Sequence, residues 1–140
     1  MTSENMVRFK QLLVTNSCHV TKSRIMIFEL IVQNRPQSLR NLLKLSKGTV
    51  DRVSLYRNIA LFEKLGIVQR VHIGWKYKIE LTDFFVAHHH HLSCLGCGKV
   101  VDIEDEKNIS SFIHKVVKQY DFKPLRHQFE IEGYCKACTK

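Results

Sequence analysis

Four imidazoles and two thiols fall within ten residues of this chain, in "HHHHLSCLGC" from His88 to Cys97. A second thiol pair, Cys135-x-x-Cys138, lies near the C-terminus, and the fifth cysteine is Cys18. In a reducing compartment, two C-x-x-C pairs read as metal ligation before they read as a disulfide framework, because each pair can bite one ion from a single turn. The four thiolates of Cys94, Cys97, Cys135 and Cys138 would complete a tetrahedron with no position left for water or substrate. A closed site of that kind is structural, and zinc is its expected occupant. Buried or redox-active thiols are the competing account. Cys18, alone in an expected loop, reads as a packed thiol outside the set.

The histidines carry a different chemistry. If "HHHHL" enters a β-strand, alternate side chains face opposite ways, His88 and His90 together and His89 and His91 together. Each pair can then join a separate site; a solvated surface run is the alternative. Imidazole with carboxylate suits zinc, iron(II) and several other divalent ions, so ligand type alone does not choose the metal.

The elements that must position these groups follow from periodicity. "MVRFKQLL" begins a short amphipathic helix. Thr21 caps "KSRIMIFELIVQ", with Ile25, Phe28, Ile31 and Val32 at helical spacing, and Pro36 closes that segment. Ser38 opens "LRNLLKL", with Leu39, Leu42 and Leu43 on one side. After the turn "SKGT", Asp51 caps "RVSLYRNIALFEKL", which ends at Gly66. Leu55, Ile59 and Phe62 form its apolar stripe, and Arg57 and Lys64 point away with Tyr56 beside them. Helix, short turn with glycine, helix is helix-turn-helix anatomy. "IVQRVHI" and "WKYKIEL" then switch to strand period and make a hairpin, the wing of a winged helix, with Arg70, Lys76 and Lys78 available to phosphates.

Beyond the connector "TDFFVA", the runs "KVVDI" and "HQFEIEGYC" flank a helix near "ISSFIHKVVKQY". The chain therefore reads as α+β: a winged helix-turn-helix domain over 1–83 and a small α+β domain over 84–140. The latter, under 60 residues, needs a metal staple or a partner chain. Net charge is +9, and 44% of residues are hydrophobic against 25% charged, which excludes a disordered chain. Residues 1–83 carry 14 Lys and Arg against six acids, and 84–140 carry eight against seven. The basic half is expected to meet a polyanion. No apolar run approaches the roughly 18 residues of a membrane span, and "MTSENMVRFK" has no signal-like apolar core, so a cytoplasmic protein without membrane contact is expected.

Taken in order, "VSLYRNIALFEKLGIVQR", "KIEL", "HHHHLSCLGCGKVVDIED" and "GYCKAC" resemble the ferric uptake regulator family of metal-sensing repressors, from "TKSR" at 21–24 to Cys138. The resemblance implies a homodimer, each chain with an N-terminal winged helix and a C-terminal dimerisation domain. It implies structural zinc at the two cysteine pairs and a regulatory metal, iron(II) or zinc(II), whose loading lets both winged helices reach double-stranded operator DNA. Repression of metal-uptake genes is the implied outcome, and no enzymatic activity.

Carried over by position, the regulatory ligands are Glu80, His89 and His91. The family adds a histidine where this chain has Arg35, before Pro36, and a guanidinium cannot ligate a cation; water or another residue completes the site, or the metal preference differs, and His72 is the candidate substitute, with a wing surface residue as the alternative reading of it. An auxiliary site uses His88, His90 and His127. The family has aspartate at the His90 position and an acid at Ser110, for which Glu104, Asp105 and Glu106 are nearby stand-ins. For DNA, Tyr56 and Arg57 match the family pair, with Ser54 and Asn58 beside them. Arg24 matches a position that is either a phosphate contact or a structural partner. Peroxide sensors of the family have aspartate at the Glu80 position, which makes that alternative secondary. A hydrolase using the His88 to His91 run with Glu80 as base, or a zinc-ribbon adaptor, leaves the helix-turn-helix unexplained.

Overall fold

The computed structural model describes residues 3–34, 36–104 and 107–139. The chain forms two compact units that divide between Ala87 and His88. In the first, four helices precede a hairpin: α1 Ser3–Thr15, α2 Lys22–Gln33, α3 Leu39–Leu45, α4 Arg52–Lys64, β1 Val68–Ile73 and β2 Lys76–Leu81. The second holds β3 His89–Cys94, β4 Val100–Glu104, α5 Lys107–Gln119 and β5 Glu130–Gly133. This is the expected α+β class. Among the described residues, no helix is long and apolar enough to cross a membrane.

Side-chain caps start the helices where the sequence suggests. Thr21 accepts a hydrogen bond from the Arg24 amide, Ser38 from the Asn41 amide and Asp51 from the Ser54 amide, each satisfying a donor that the first helical turn leaves open. At the other end of α4, Gly66 adopts φ +67°, a left-handed conformation that suits glycine. That turn lets the Gly66 amide donate to Glu63 O and the Ile67 amide to Phe62 O, at 3.0 and 2.8 Å, closing a Schellman motif.

Phe9 of α1 stacks on Phe28 of α2 at 4.1 Å and meets Phe62 of α4 edge-on at 5.3 Å. Leu55, Ile59 and Phe62 form the buried stripe of α4. In α2 the buried residues are Ile27, Phe28 and Ile31, with Ile25 and Val32 only half-buried. Phe85 packs edge-on against Phe28 at 5.3 Å, which draws the connector into the first unit and sets the division four residues later than the sequence suggests.

β1 and β2 pair antiparallel, with Ile73 opposite Lys76, so the wing turns through two residues, Gly74 and Trp75. Gln37 adds a third line to this sheet by exchanging two backbone hydrogen bonds with Ile79. In the second unit the strand order is β4-β3-β5, with β3 antiparallel to β4 and parallel to β5. Helix α5 supplies the crossover that a parallel pair requires. It buries none of its residues, and Phe112 stays 66% exposed.

Candidate metal centres and nucleic-acid face

The four thiols and the candidate histidines of the second unit all lie on or beside β3 or are brought to it by β5. Its last residue, Cys94, pairs with Gly133 of β5, two residues before Cys135. The register thereby brings the two C-x-x-C turns together across 41 residues of chain. The four sulfurs lie within 4.8 Å of one another, and Cys97 Sγ stands 3.8 Å from Cys135 Sγ. A tetrahedron with metal–sulfur bonds of about 2.3 Å has edges of about 3.8 Å, so the cage has the dimensions of a four-thiolate zinc site. The Cys135 amide donates to Cys94 Sγ at 3.3 Å. That donor, aided by Cys97 and Gly96 amides, pulls the Cys94 thiol down to about 6. Cys138 is pushed up to about 12, because its thiol proton is shared with the sulfurs of Cys135, Cys94 and Cys97. Such proton sharing is what four crowded thiols do on their own, and a divalent cation would replace it with ligation of all four as thiolates.

Gly96 sits inside this cage, and the sequence reading did not single it out. A Cβ there would lie 2.9 Å from Cys138 Cβ and 3.0 Å from Cys138 Sγ. Only the absence of a side chain lets one turn close over the other.

The histidine run divides as strand alternation demands. The rings of His89 and His91 lie 4.8 Å apart, and those of His88 and His90 lie 4.9 Å apart. His127 joins the second pair, with Nε2 atoms of His88 and His127 at 2.8 Å, and the three donor atoms of His88, His90 and His127 lie within ligating reach of one ion. His90 is almost fully buried beside Phe129. Ser110 lies within α5, Glu104 pairs with His89 across the sheet, and Asp105 and Glu106 lie outside the described residues. His89 and His91 share their face with β4 acids: antiparallel pairing sets His91 opposite Asp102, with Nε2 and Oδ1 3.9 Å apart. Asp102 was missed from sequence, since only register identifies it.

In the first unit, Glu80 is a buried carboxylate at the end of β2, and Gln69 Nε2 donates to its Oε1 at 2.8 Å. His72 does not join it. Its cross-strand partner is Tyr77, whereas that of Glu80 is Gln69, so His72 projects from the opposite face of the hairpin, three positions along. This corrects the expectation that His72 replaces the absent family histidine. Arg35, the residue at that place, lies outside the described residues.

Of the residues expected at DNA, some are exposed on α4 and others are hydrogen-bonded within the unit. Arg57 and Tyr56 are exposed on α4, with the Arg52 guanidinium 5.6 Å from the Tyr56 ring centre. A cavity of ≈ 230 Å³ lies beside them, lined by Leu39, Arg40, Leu43, Arg52 and Tyr56. The sequence reading had not assigned Arg40 and Arg52. Arg24 and Asn58, by contrast, are engaged with each other: Arg24 Nε donates to Asn58 Oδ1 at 3.1 Å, and Arg24 Nη1 donates to His19 O. Asn58 Nδ2 in turn donates to Ser54 O at 2.8 Å. This geometry gives Arg24 and Asn58 the work of tying α2 to α4. The Ser54 hydroxyl donates to Asp51 at 2.6 Å within the cap, and that bond, with the Ser54 amide, holds the Asp51 carboxyl below its ordinary value. On the wing, Arg70 pairs with Glu63 and covers the Tyr77 ring at 4.3 Å, so it braces β1 against α4.

The model described as the ferric uptake regulator family matches residues 15–132. Over 125 residues the chain is 34% identical to the ferric uptake regulation protein of Yersinia pestis, spanning 84% of this chain and 82% of that protein. Its fold is similar to that of the Helicobacter pylori ferric uptake regulator, a structure described as revealing three functional metal binding sites. The TM-score is 0.80 at 21% identity, over 96% of this chain and 91% of that one. A zinc uptake regulator complexed with zinc and DNA matches with a TM-score of 0.63 at 18% identity, over 99% of this chain and 96% of its own.

Proposed function

Because the chain belongs to the ferric uptake regulator family, we propose a specific division of labour among its donor sets, its basic face and its apolar surface. The protein is a metal-responsive transcription regulator and not an enzyme. Cys94, Cys97, Cys135 and Cys138 hold a structural zinc whose binding energy supports a unit with a thin core of its own. Glu80, His89 and His91 hold the regulatory metal, iron(II) or zinc(II), and Asp102 is available to it as a further oxygen donor. Loading of that metal shifts the protein toward its DNA-binding state. His88, His90 and His127 hold an auxiliary ion.

The protein acts as a homodimer in the cytoplasm. Support for the dimer comes from α5 and its neighbours, where Phe112, Tyr120 and Phe122 are each at least 66% exposed. Apolar surface on that scale marks an association face. The dimer binds double-stranded operator DNA through Tyr56 and Arg57 of α4, and represses metal-uptake genes when loaded. Glu80, in place of the aspartate of peroxide sensors, favours metal sensing over peroxide sensing.

One observation carries the reading: a single strand sends alternate histidines to two separate donor sets and ends in the closed thiolate cage. The experiment that tests it selects duplexes from a random-sequence pool with the metal-loaded protein, then titrates iron(II) and zinc(II) against binding of the recovered duplex. Binding that rises with one or both metals, above a zinc that survives dialysis, is the expected result. Metal-independent binding refutes the regulatory assignment.

A further inference from the structure

We propose that Trp75, at the tip of the wing, is a DNA-contacting residue that seats its indole against the minor groove beside the site gripped by α4. The inference rests on the DNA-binding reading above. Gly74 has φ +57° and Trp75 is not among the residues with positive φ, so the two-residue turn has glycine first, the type II′ arrangement. That turn projects Trp75 outward with 88% of its surface exposed. An indole this exposed contributes little to the core of this unit, and a shorter polar residue would serve the turn equally well. Its charge environment indicates the partner. From Val68 to Ile79 the hairpin carries Arg70, Lys76 and Lys78 and no carboxylate. Arg70 is committed to Glu63, while Lys76 is exposed at the tip, its Nζ 4.9 Å from the Trp75 ring centre.

An aromatic plane beside an exposed ammonium suits a polyanion with apolar edges, which is what the sugar-lined wall of a duplex groove offers. The indole N–H is a donor only, and the minor groove presents acceptors, A N3 and T O2, at its floor. Wedge-like apolar side chains are a known means of minor-groove binding. Lys76 would then reach a flanking phosphate, adding charge while Trp75 adds contact area.

Trp75 is the single tryptophan of the chain, so intrinsic fluorescence reports this position alone. The probes are a duplex recovered from a random-sequence pool by the metal-loaded protein and a scrambled duplex of equal composition. Adding the recovered duplex should shield Trp75 from acrylamide quenching. Trp75→Ala should weaken its binding by about tenfold, a typical value for losing one aromatic contact to nucleic acid, and leave the slope of affinity against salt unchanged. Trp75→Phe should retain most of the affinity. Lys76→Ala should instead lower the salt slope by about one, as loss of a phosphate contact does. Unchanged quenching together with wild-type affinity in Trp75→Ala, while Arg57→Ala is weakened, overturns the wing-tip contact and leaves the DNA-binding reading standing. Shielding that appears with rising protein concentration before duplex is added also overturns it, in favour of contact with a second copy. A wild-type protein that binds no duplex overturns both.

Discussion

Gly96→Ala tests whether the thiolate cage is a rigid metal site. Gly96 does not need a left-handed backbone, so alanine brings no conformational strain, and the effect reduces to the added methyl. That methyl would stand 2.9 Å from Cys138 Cβ and 3.0 Å from Cys138 Sγ. Ordinary contact begins at about 3.5 Å, so Cys138 must retreat by roughly 0.5 Å or more. Zinc ligands sit within about 0.2 Å of their ideal distances, which the displacement exceeds more than twofold. Cys138 also cannot move alone, because its amide and that of Thr139 both donate to Cys135 O, at 2.8 and 2.9 Å. The second turn would shift as a body. Changes immediately around metal ligands typically cost about 10- to 100-fold in affinity, or about 1.4–2.7 kcal/mol. Competition with a chromophoric chelator should show zinc leaving Gly96→Ala at correspondingly lower chelator concentration. Gly98→Ala is the control: its φ of +70° strains alanine, but a Cβ there meets nothing within 4 Å. It should lower stability by about 1 kcal/mol and hold zinc nearly as the wild type does. If Gly96→Ala binds zinc as tightly as Gly98→Ala, the steric reasoning is wrong and the cage is compliant.

Three further outcomes bear on the other sites. Arg57→Ala should weaken binding of the recovered duplex by about 1–3 kcal/mol, measured by fluorescence anisotropy; equal loss on a scrambled duplex would make Arg57 a phosphate anchor. Arg24→Ala should lower unfolding free energy by about 1–2 kcal/mol in denaturant titrations without DNA, since it deprives Asn58 Oδ1 and His19 O of their donor. An Arg24 variant with unchanged stability and lost duplex binding would return it to the DNA face. His91→Ala should abolish metal-activated DNA binding while the protein keeps one zinc per chain, measured by metal analysis after dialysis, whereas a wild-type response to metal would move the sensor elsewhere.

What could be read from sequence was local. Thr21, Ser38 and Asp51 act over three residues, and all three caps form as expected. The two-faced histidine run needs only the alternation of a strand. Helix α2 is less legible because apolar residues surround it: Ile27, Phe28 and Ile31 are buried, and Ile25, Met26, Leu30 and Val32 pack around the same core. A helix covered on several sides has no single stripe to read. The residues that escaped were those paired at long range. Asp102 acquires meaning only from the register opposite His91, and of the two roles the sequence left open for Arg24, only its bond to Asn58, 34 residues away, points to the structural one. Gly96 is constrained by Cys138, which no local pattern reveals. Likewise His72 and Glu80 sit close in sequence, yet the hairpin register puts them on opposite faces.

Register also links the thiol cage to both histidine pairs of the second unit. β3 carries members of each, so a slip of one residue would exchange the faces on which His90 and His91 point. The cross-strand apolar set Leu92, Val101 and Ile131 lends that register little, because all three are exposed. The cysteine turns supply the pin. Cys94 exchanges backbone bonds with the tight turn that follows it, its amide donating to Lys99 O and its carbonyl accepting from Gly98, both at 2.9 Å. On the other side, the Leu95 amide donates to Gly133 O at 2.8 Å, next to the second turn. Stripping the cage of metal should therefore degrade both histidine sets, although none of their ligands is touched. The test is to strip the metal with a chelator and titrate in manganese(II), which prefers nitrogen and oxygen donors to thiolates and so leaves the cage empty. The expected outcome is loss of His-set binding together with loss of amide-exchange protection along β3. If the stripped protein keeps β3 protected and still binds metal through His89 and His91, the sheet holds its own register and the cage is not its pin.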